Sequence, residues 1–260
     1  MKAQIIEFAE RCAREAGAIL MKRFQALEPG EIRHKGEIDL VTRADLESER
    51  HIVAAIRDRY PGHTIGAEEE VDEAPGFSHW IVDPLDGTTN FAHSVPVFSV
   101  SLAHVEEGRI EAAVVHAPYL DETFTAVKGG GAFLNGRPVR VSTRSDLREA
   151  VVATGFYYHR RTVKDDNVEA FRRFILDVRG LRRMGSASID LSYVACGRFD
   201  AFWEPHLSPH DMAAGALLVE EAGGRVTDYL GGDDYLAMRR IAASNGPLHG
   251  QVLQRLEYIE

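Results

Sequence analysis

The stretch Trp80-Ile81-Val82-Asp83-Pro84-Leu85-Asp86-Gly87-Thr88-Thr89-Asn90 places two carboxylates three residues apart behind a short apolar run. Residues 80–82 read as a buried strand that delivers Asp83 at its end, and Pro84 reads as forcing the chain out of the sheet before Asp86. Two carboxylates at that spacing around a turn can face one point, which suits a hard cation that takes oxygen ligands. The carbonyl of Leu85 lies between them as a further oxygen. Gly87 lets the backbone approach an anion closely, and the N–H groups of Gly87, Thr88 and Thr89 can cradle it. A plainer account competes: Asp-Gly makes a turn and Asp83 caps a helix.

Glu68-Glu69-Glu70 directly follows the apolar run 63–67. Three adjacent carboxylates read alone as a solvated surface run, but a strand end is a rigid place from which to present a ligand. Asp211 opens an almost entirely apolar helical pattern, where a carboxylate also stabilises the helix N-terminus; the two roles are compatible. His206 and His210 share a four-residue spacing, yet Pro209 and the lack of a helical pattern at His206 argue against a common helix face. The only cysteines, Cys12 and Cys196, each fall inside an apolar face and read as buried, unbonded thiols.

The elements that must position these residues are legible in outline. Ile5, Phe8, Ala9, Cys12, Ala16, Ile19, Leu20 and Phe24 follow three-and-four spacing, predicting an amphipathic helix that Pro29-Gly30 ends. A short β-like stretch in 31–41 leads to a second helix over 44–59. Residues 63–67 and 80–82 read as short buried strands. Alternating runs at 98–105, 110–117, 123–127 and 133–141 predict an antiparallel meander, with Asn135-Gly136 as a hairpin signal. Residues 151–154 and 199–203 read as strands; 168–178, 188–196 and 211–222 read as helices, the last two closed by Gly197 and Gly223-Gly224. The expected fold is mixed α/β, with helices layered on largely antiparallel sheets.

Composition narrows the function classes. Of 260 residues, 45% are apolar and 27% charged, ordinary values for a globular protein. No apolar run is long enough to span a membrane, and residues 1–14 are too charged for a secretory signal, so a cytoplasmic location is expected. The net charge of −10 disfavours direct nucleic-acid or anionic-membrane binding. Acidic side chains that recruit cations, which in turn recruit an anionic ligand, reconcile this charge with an anion-binding site.

Three segments together carry a resemblance. WIVDPLDGTTNFAH (80–93) is similar to the first signature of the inositol monophosphatase family, and DMAAGALLVEEAGG (211–224) resembles its second. Residues 65–69 resemble its strand ending in Glu-Glu, and LVTRAD (40–45) its LVTxxD segment. Order and separation also agree over essentially the whole chain. The resemblance implies a layered αβαβα sandwich of the sugar-phosphatase type and hydrolysis of a phosphate monoester by a water that two or three Mg²⁺ ions activate. Glu68, Asp83 and the Leu85 carbonyl would hold one ion. Asp83 would bridge to a second, also held by Asp86 and Asp211, with a third near Glu68 and Glu69. Thr88, hydrogen-bonded to Asp45, would orient the attacking water together with Glu68, and Lys35 would lie close by.

The resemblance further implies substrate contacts at Ser186, Ala187, Glu204 and Asp211, beside Gly87, Thr88 and Thr89. Glu204 stands seven residues before Asp211, where the family places a carboxylate that accepts substrate hydroxyls; read without the resemblance it is an ordinary surface residue. The family usually has Trp directly before this aspartate, and His210 departs from it. A small phosphorylated polyol or sugar is the implied substrate, inositol 1-phosphate first. Fructose 1,6-bisphosphate, histidinol phosphate or a regulatory binding role are the alternatives. A homodimer, lithium sensitivity and two halves, 1–145 with most metal ligands and 146–260 with Asp211, complete the expectations.

Overall fold

The computed structural model describes residues 2–26, 32–34, 40–68 and 76–256. Helix α1 (Lys2–Arg23) buries Ile5, Phe8, Cys12, Ala16 and Leu20 along one stripe and ends on Lys22 and Arg23, which complement its C-terminal dipole. Helix α2 (Arg43–Arg59) follows a two-stranded ribbon of β1 (Ile32–His34) and β2 (Leu40–Thr42). Thr42 caps it, and Asp45 returns the bond to the Thr42 backbone N–H, forming a capping box.

The larger sheet has seven strands in sequence order: β3 (Thr64–Gly66), β4 (Ser78–Asp86), β5 (Ser99–Glu106), β6 (Arg109–Ala117), β7 (Glu122–Val127), β8 (Gly131–Leu134) and β9 (Arg137–Val139). Only β3 and β4 pair in parallel, so the expected antiparallel meander occupies the remainder. The run 133–141 is two strands, hinged where Asn135 (φ 48°) and Gly136 (φ 73°) take the positive φ values a two-residue hairpin demands.

The second sheet has five strands in the order β11 (Gly180–Arg182), β10 (Val151–Thr154), β12 (Ala201–Pro205), β14 (Arg240–Ser244) and β13 (Arg225–Thr227). The chain also forms the short helices α3 (Thr88–Ala92) and α7 (Tyr235–Met238). Helices α5 (Ala187–Ala195) and α6 (Pro209–Glu221) lie between the sheets. The outer face of the small sheet is covered by α4 (Val168–Ile175) and α8 (His249–Leu256). The layers are therefore αβαβα, with one apolar core under α1 and α2, one around α5 and α6, and one beneath α4 and α8.

Helix α6 is apolar all round because both of its faces meet a sheet: eight consecutive residues, 212–219, are buried. At about 1.5–3 kcal/mol per fully buried large apolar side chain, Met212, Leu217, Leu218 and Val219 anchor it firmly. Gly215 lets α5 come close, since a Cβ there would stand 2.5 Å from Leu191. Cys12 and Cys196 are both unbonded, the first buried and the second half-buried. Among the described residues, no helix is long and apolar enough to cross a membrane.

Candidate metal centre

Strand β4 carries two of the acids, and it does so differently from the sequence expectation. Pro84 does not expel the chain from the sheet. Asp83 pairs with Ser101 and Asp86 with Ser99, so three steps on β4 face two on β5 and the strand bulges. A bulge tolerates a proline that lacks an N–H and re-aims the side chains on either side of it. The Pro84 carbonyl is still satisfied, by the Ser48 hydroxyl at 2.9 Å.

Each acid is held by one oxygen. Asp83 Oδ1 accepts from the Leu85 N–H at 3.0 Å. Asp86 Oδ2 accepts from Ser186 Oγ at 2.7 Å, Ser188 N–H at 2.8 Å and the Ser188 hydroxyl, all at the start of α5. Asp211, in the first turn of α6, accepts from Ser208 N–H at 2.6 Å in a second capping box. The helix-stabilising role of Asp211 is therefore real, and it leaves Oδ1 outside the cap, as the Leu85 contact leaves Asp83 Oδ2. One oxygen fixes the orientation and the other is presented.

These groups converge on a cavity of about 280 Å³, lined by Glu68, Asp83, Leu85, Asp86, Thr88, Asp190, Glu204 and Asp211 among others. Burial drives the Asp83 carboxyl well above its ordinary range, reinforced by the charges of Asp86, Glu68 and Asp211. Burial likewise raises Asp86. It pushes Asp211 up to about 6, with Asp86 and Glu68 adding to the effect and His210 opposing it. Several like charges packed out of water are tolerable only with protons or cations between them. Among the described residues, the donor atoms of Asp83, His210 and Asp211 all lie within 4.8 Å of one another. Buried oxygens, outward lone pairs and shared negative charge fit a hard divalent cation.

Beside the acids, the Thr88 hydroxyl stands 3.1 Å from Asp45 Oδ1 and 3.0 Å from the Leu85 carbonyl. Its single proton goes to one of them, leaving the oxygen as an acceptor. Asp45 is fixed from behind by the N–H and hydroxyl of Thr42, and burial lifts its carboxyl to about 6. Gly87 has φ +94°, and a Cβ there would meet the Val97 carbonyl at 2.9 Å, so this turn requires glycine twice over.

Ser186, Ala187, Gly87 and Glu204 also line the cavity, whereas Thr89 does not; its hydroxyl pairs with Tyr158 OH at 3.1 Å. Glu204 is not a surface residue. It is 9% exposed, and burial raises its carboxyl to about 8, with Asp211 contributing. Glu69 and Lys35 lie outside the described residues.

Sequence reasoning missed Asp190, Arg183, Gly155 and Tyr158 in the wall, and read no ligand at His210. Asp190 is 1% exposed, and among the described residues its Oδ1 has no hydrogen-bond partner. Burial and the neighbouring Glu204 and Asp86 push its carboxyl well above the ordinary range, with Arg183 opposing. The legible signal was the lone acid in ASIDLSYVA, a helical segment otherwise without charge.

The model of the inositol monophosphatase family matches residues 1–260. The chain belongs to the inositol monophosphatase family. This is a family of phosphoric monoester hydrolases, and its members generally use Mg²⁺. The chain is 45% identical over 247 residues to Nus factor SuhB of Pseudomonas aeruginosa, covering 93% of this chain and 91% of that protein. It is 44% identical over 233 residues to the inositol-1-monophosphatase of Rhizobium meliloti, covering 89% and 88%. Among solved structures, the inositol monophosphatase from Anabaena (Nostoc) superposes with a TM-score of 0.90 at 38% identity, covering 99% of this chain and 97% of that one. The extragenic suppressor protein suhB from Bartonella henselae superposes with a TM-score of 0.92 at 38% identity, covering 98% and 99%.

Proposed function

We propose that this protein hydrolyses a small phosphorylated polyol, inositol 1-phosphate foremost, with Mg²⁺ held by Glu68, Asp83, the Leu85 carbonyl, Asp86 and Asp211. The observation that carries the reading is the convergence of Asp83, Asp86 and Asp211, each tied by one oxygen, on a single cavity. When bound, the cations neutralise phosphate charge and make water a better nucleophile at neutral pH.

The chain's own groups do the positioning. Thr88 Oγ1 donates to Asp45 Oδ1 and so turns a lone pair toward the attacking water, and Glu68, which lines the same cavity, takes that water's proton. Main-chain N–H groups at Gly87 and Thr88 hold the phosphate oxygens. Glu204 receives the hydroxyls of the leaving alcohol beside Ser186 and Ala187, which line the same cavity. A homodimer, lithium sensitivity and a division into halves at 145/146 belong to the same proposal.

The relatives named Nus factor SuhB, at 45% and 42% identity, favour a second role: a protein partner in transcription, held alongside the phosphatase activity. Phosphate release from inositol 1-phosphate, fructose 1,6-bisphosphate, histidinol phosphate and adenosine 3′,5′-bisphosphate, with and without Mg²⁺, tests the first reading. Activity that is independent of Mg²⁺, or undiminished in Asp83→Asn, sinks it.

A further inference from the structure

His210 is a donor at the centre that has no role in the proposed hydrolysis. His210 sits in the first turn of α6, where its carbonyl accepts from Ser101 Oγ at 3.3 Å and the Ser208–Asp211 capping box fixes the neighbouring backbone. Its side chain is 22% exposed and borders the cavity, and its Nε2 stands 3.9 Å from Asp211 Oδ1. Among the described residues that nitrogen makes no protein hydrogen bond. His210 forms with Asp83 and Asp211 a trio whose donor atoms all lie within 4.8 Å of one another.

The spacing is that of ligands around one ion. Donors at about 2.1 Å from a common cation in octahedral geometry stand roughly 3.0 Å apart when adjacent and 4.2 Å when opposite. The 3.9 Å between His210 and Asp211 already falls in that window. No separation in the trio exceeds 4.8 Å, so closing onto one ion needs a movement of at most about 0.6 Å, within the play of a side chain on a fixed backbone. The free oxygens, Asp83 Oδ2 and Asp211 Oδ1, are those the backbone contacts leave over.

We propose that His210 is a nitrogen ligand to the cation held between Asp83 and Asp211, and that it gives this centre a preference for a borderline divalent cation such as Co²⁺ or Zn²⁺ that an all-oxygen site lacks. The preference follows from ligand softness. Imidazole binds Co²⁺ and Zn²⁺ well, whereas Mg²⁺ demands oxygen and gains little from a nitrogen neighbour. The inference rests on the metal-dependent reading but is separable from it.

The test titrates the metal-stripped, full-length protein with Co²⁺ alone and with Mg²⁺ alone by calorimetry. Proton NMR of the Co²⁺-loaded protein accompanies it. A ring N–H on a Co²⁺-ligating imidazole gives an exchangeable resonance shifted far outside the protein envelope. Wild type is expected to show that resonance, and His210→Phe is expected to lose it. The variant is expected to weaken Co²⁺ binding by about tenfold or more while changing Mg²⁺ binding by less than about twofold.

The wild-type spectrum needs no variant, so a missing resonance refutes the proposal even where His210→Phe folds poorly. Absence of the resonance from wild type, its persistence in the variant, or an equal loss of both cations overturns the proposal. Asp83→Asn separates the two levels. If it abolishes binding of both cations while His210→Phe changes neither, only the nitrogen ligand is lost. If it leaves both affinities intact, the centre itself is misplaced.

Discussion

Gly155 is the residue whose substitution probes the site most cleanly without touching a proposed ligand. A Cβ at this position would stand 2.0 Å from Glu204 Oε2 and 2.3 Å from its Cδ and Oε1. Ordinary contact needs about 3.5 Å, so Gly155→Ala displaces the carboxylate by roughly 1.5 Å. The atoms in the way are the far end of a flexible side chain, so the fold yields there and survives. Burial lifts Glu204 to about 8, so near neutrality the group lost is a largely uncharged carboxyl. Two hydrogen bonds to substrate hydroxyls, at about 0.5–1.5 kcal/mol each, make about 1–3 kcal/mol, or a loss of roughly 5- to 150-fold. The assay compares kcat/KM for inositol 1-phosphate with that for p-nitrophenyl phosphate, which has no hydroxyls for Glu204 to meet. Only the first is expected to fall, with circular dichroism unchanged. Equal losses on both substrates, or no loss on either, refute the placement of the alcohol against Glu204.

Three further outcomes follow from the same geometry. Asp83→Asn removes an acid that burial and three neighbouring carboxylates push far up; the chelated variant is expected to melt about 2–4 °C above wild type and to gain nothing from added Mg²⁺, checked by calorimetry. Thr88→Val breaks both contacts of the Thr88 hydroxyl and is expected to lower kcat about a hundredfold with KM within about threefold; a change confined to KM contradicts the water-orienting role. Burial raises Glu204 from 4.5 to about 8, and Asp45 and Asp211 from 3.8 to about 6. The folded state therefore holds protons that the unfolded chain releases above its lower values, and this stability is lost as pH rises through about 6 and then 8. In a chelator, Tm is expected to fall between about pH 5 and pH 8.5, and Glu204→Gln is expected to flatten the upper part of that slope; a rising Tm contradicts the assignment.

Much of the site was legible where chemistry and local signals coincide. Asp83 and Asp86 stood out because a buried strand led into Asp-Pro-x-Asp-Gly, and Asp211 because an acid opened an apolar helix. Asn135-Gly136 announced its hairpin because few dipeptides tolerate two positive φ values in succession. What the sequence obscured was context. Pro84 read as a strand terminator, because nothing local says that Ser99 to Ser101 is one residue shorter and that the sheet will absorb the difference as a bulge. Glu204 read as a surface residue because its strand is short, and no local pattern reports the cavity it faces.

The sequence by itself determined the chemical inventory: which acids exist, which elements carry them, and the caps and turns that start and stop those elements. These depend on interactions within a few residues, and local propensity resolves them. Only the tertiary structure decided which of those groups share one space. It set Asp190 near Glu204 and Gly155 against the Glu204 carboxylate, and it brought His210 together with Asp211 and Asp83. Those placements come from two sheets closing on α5 and α6. That packing brings together residues well over a hundred positions apart, such as Asp83 and Asp211, so no local pattern specifies it.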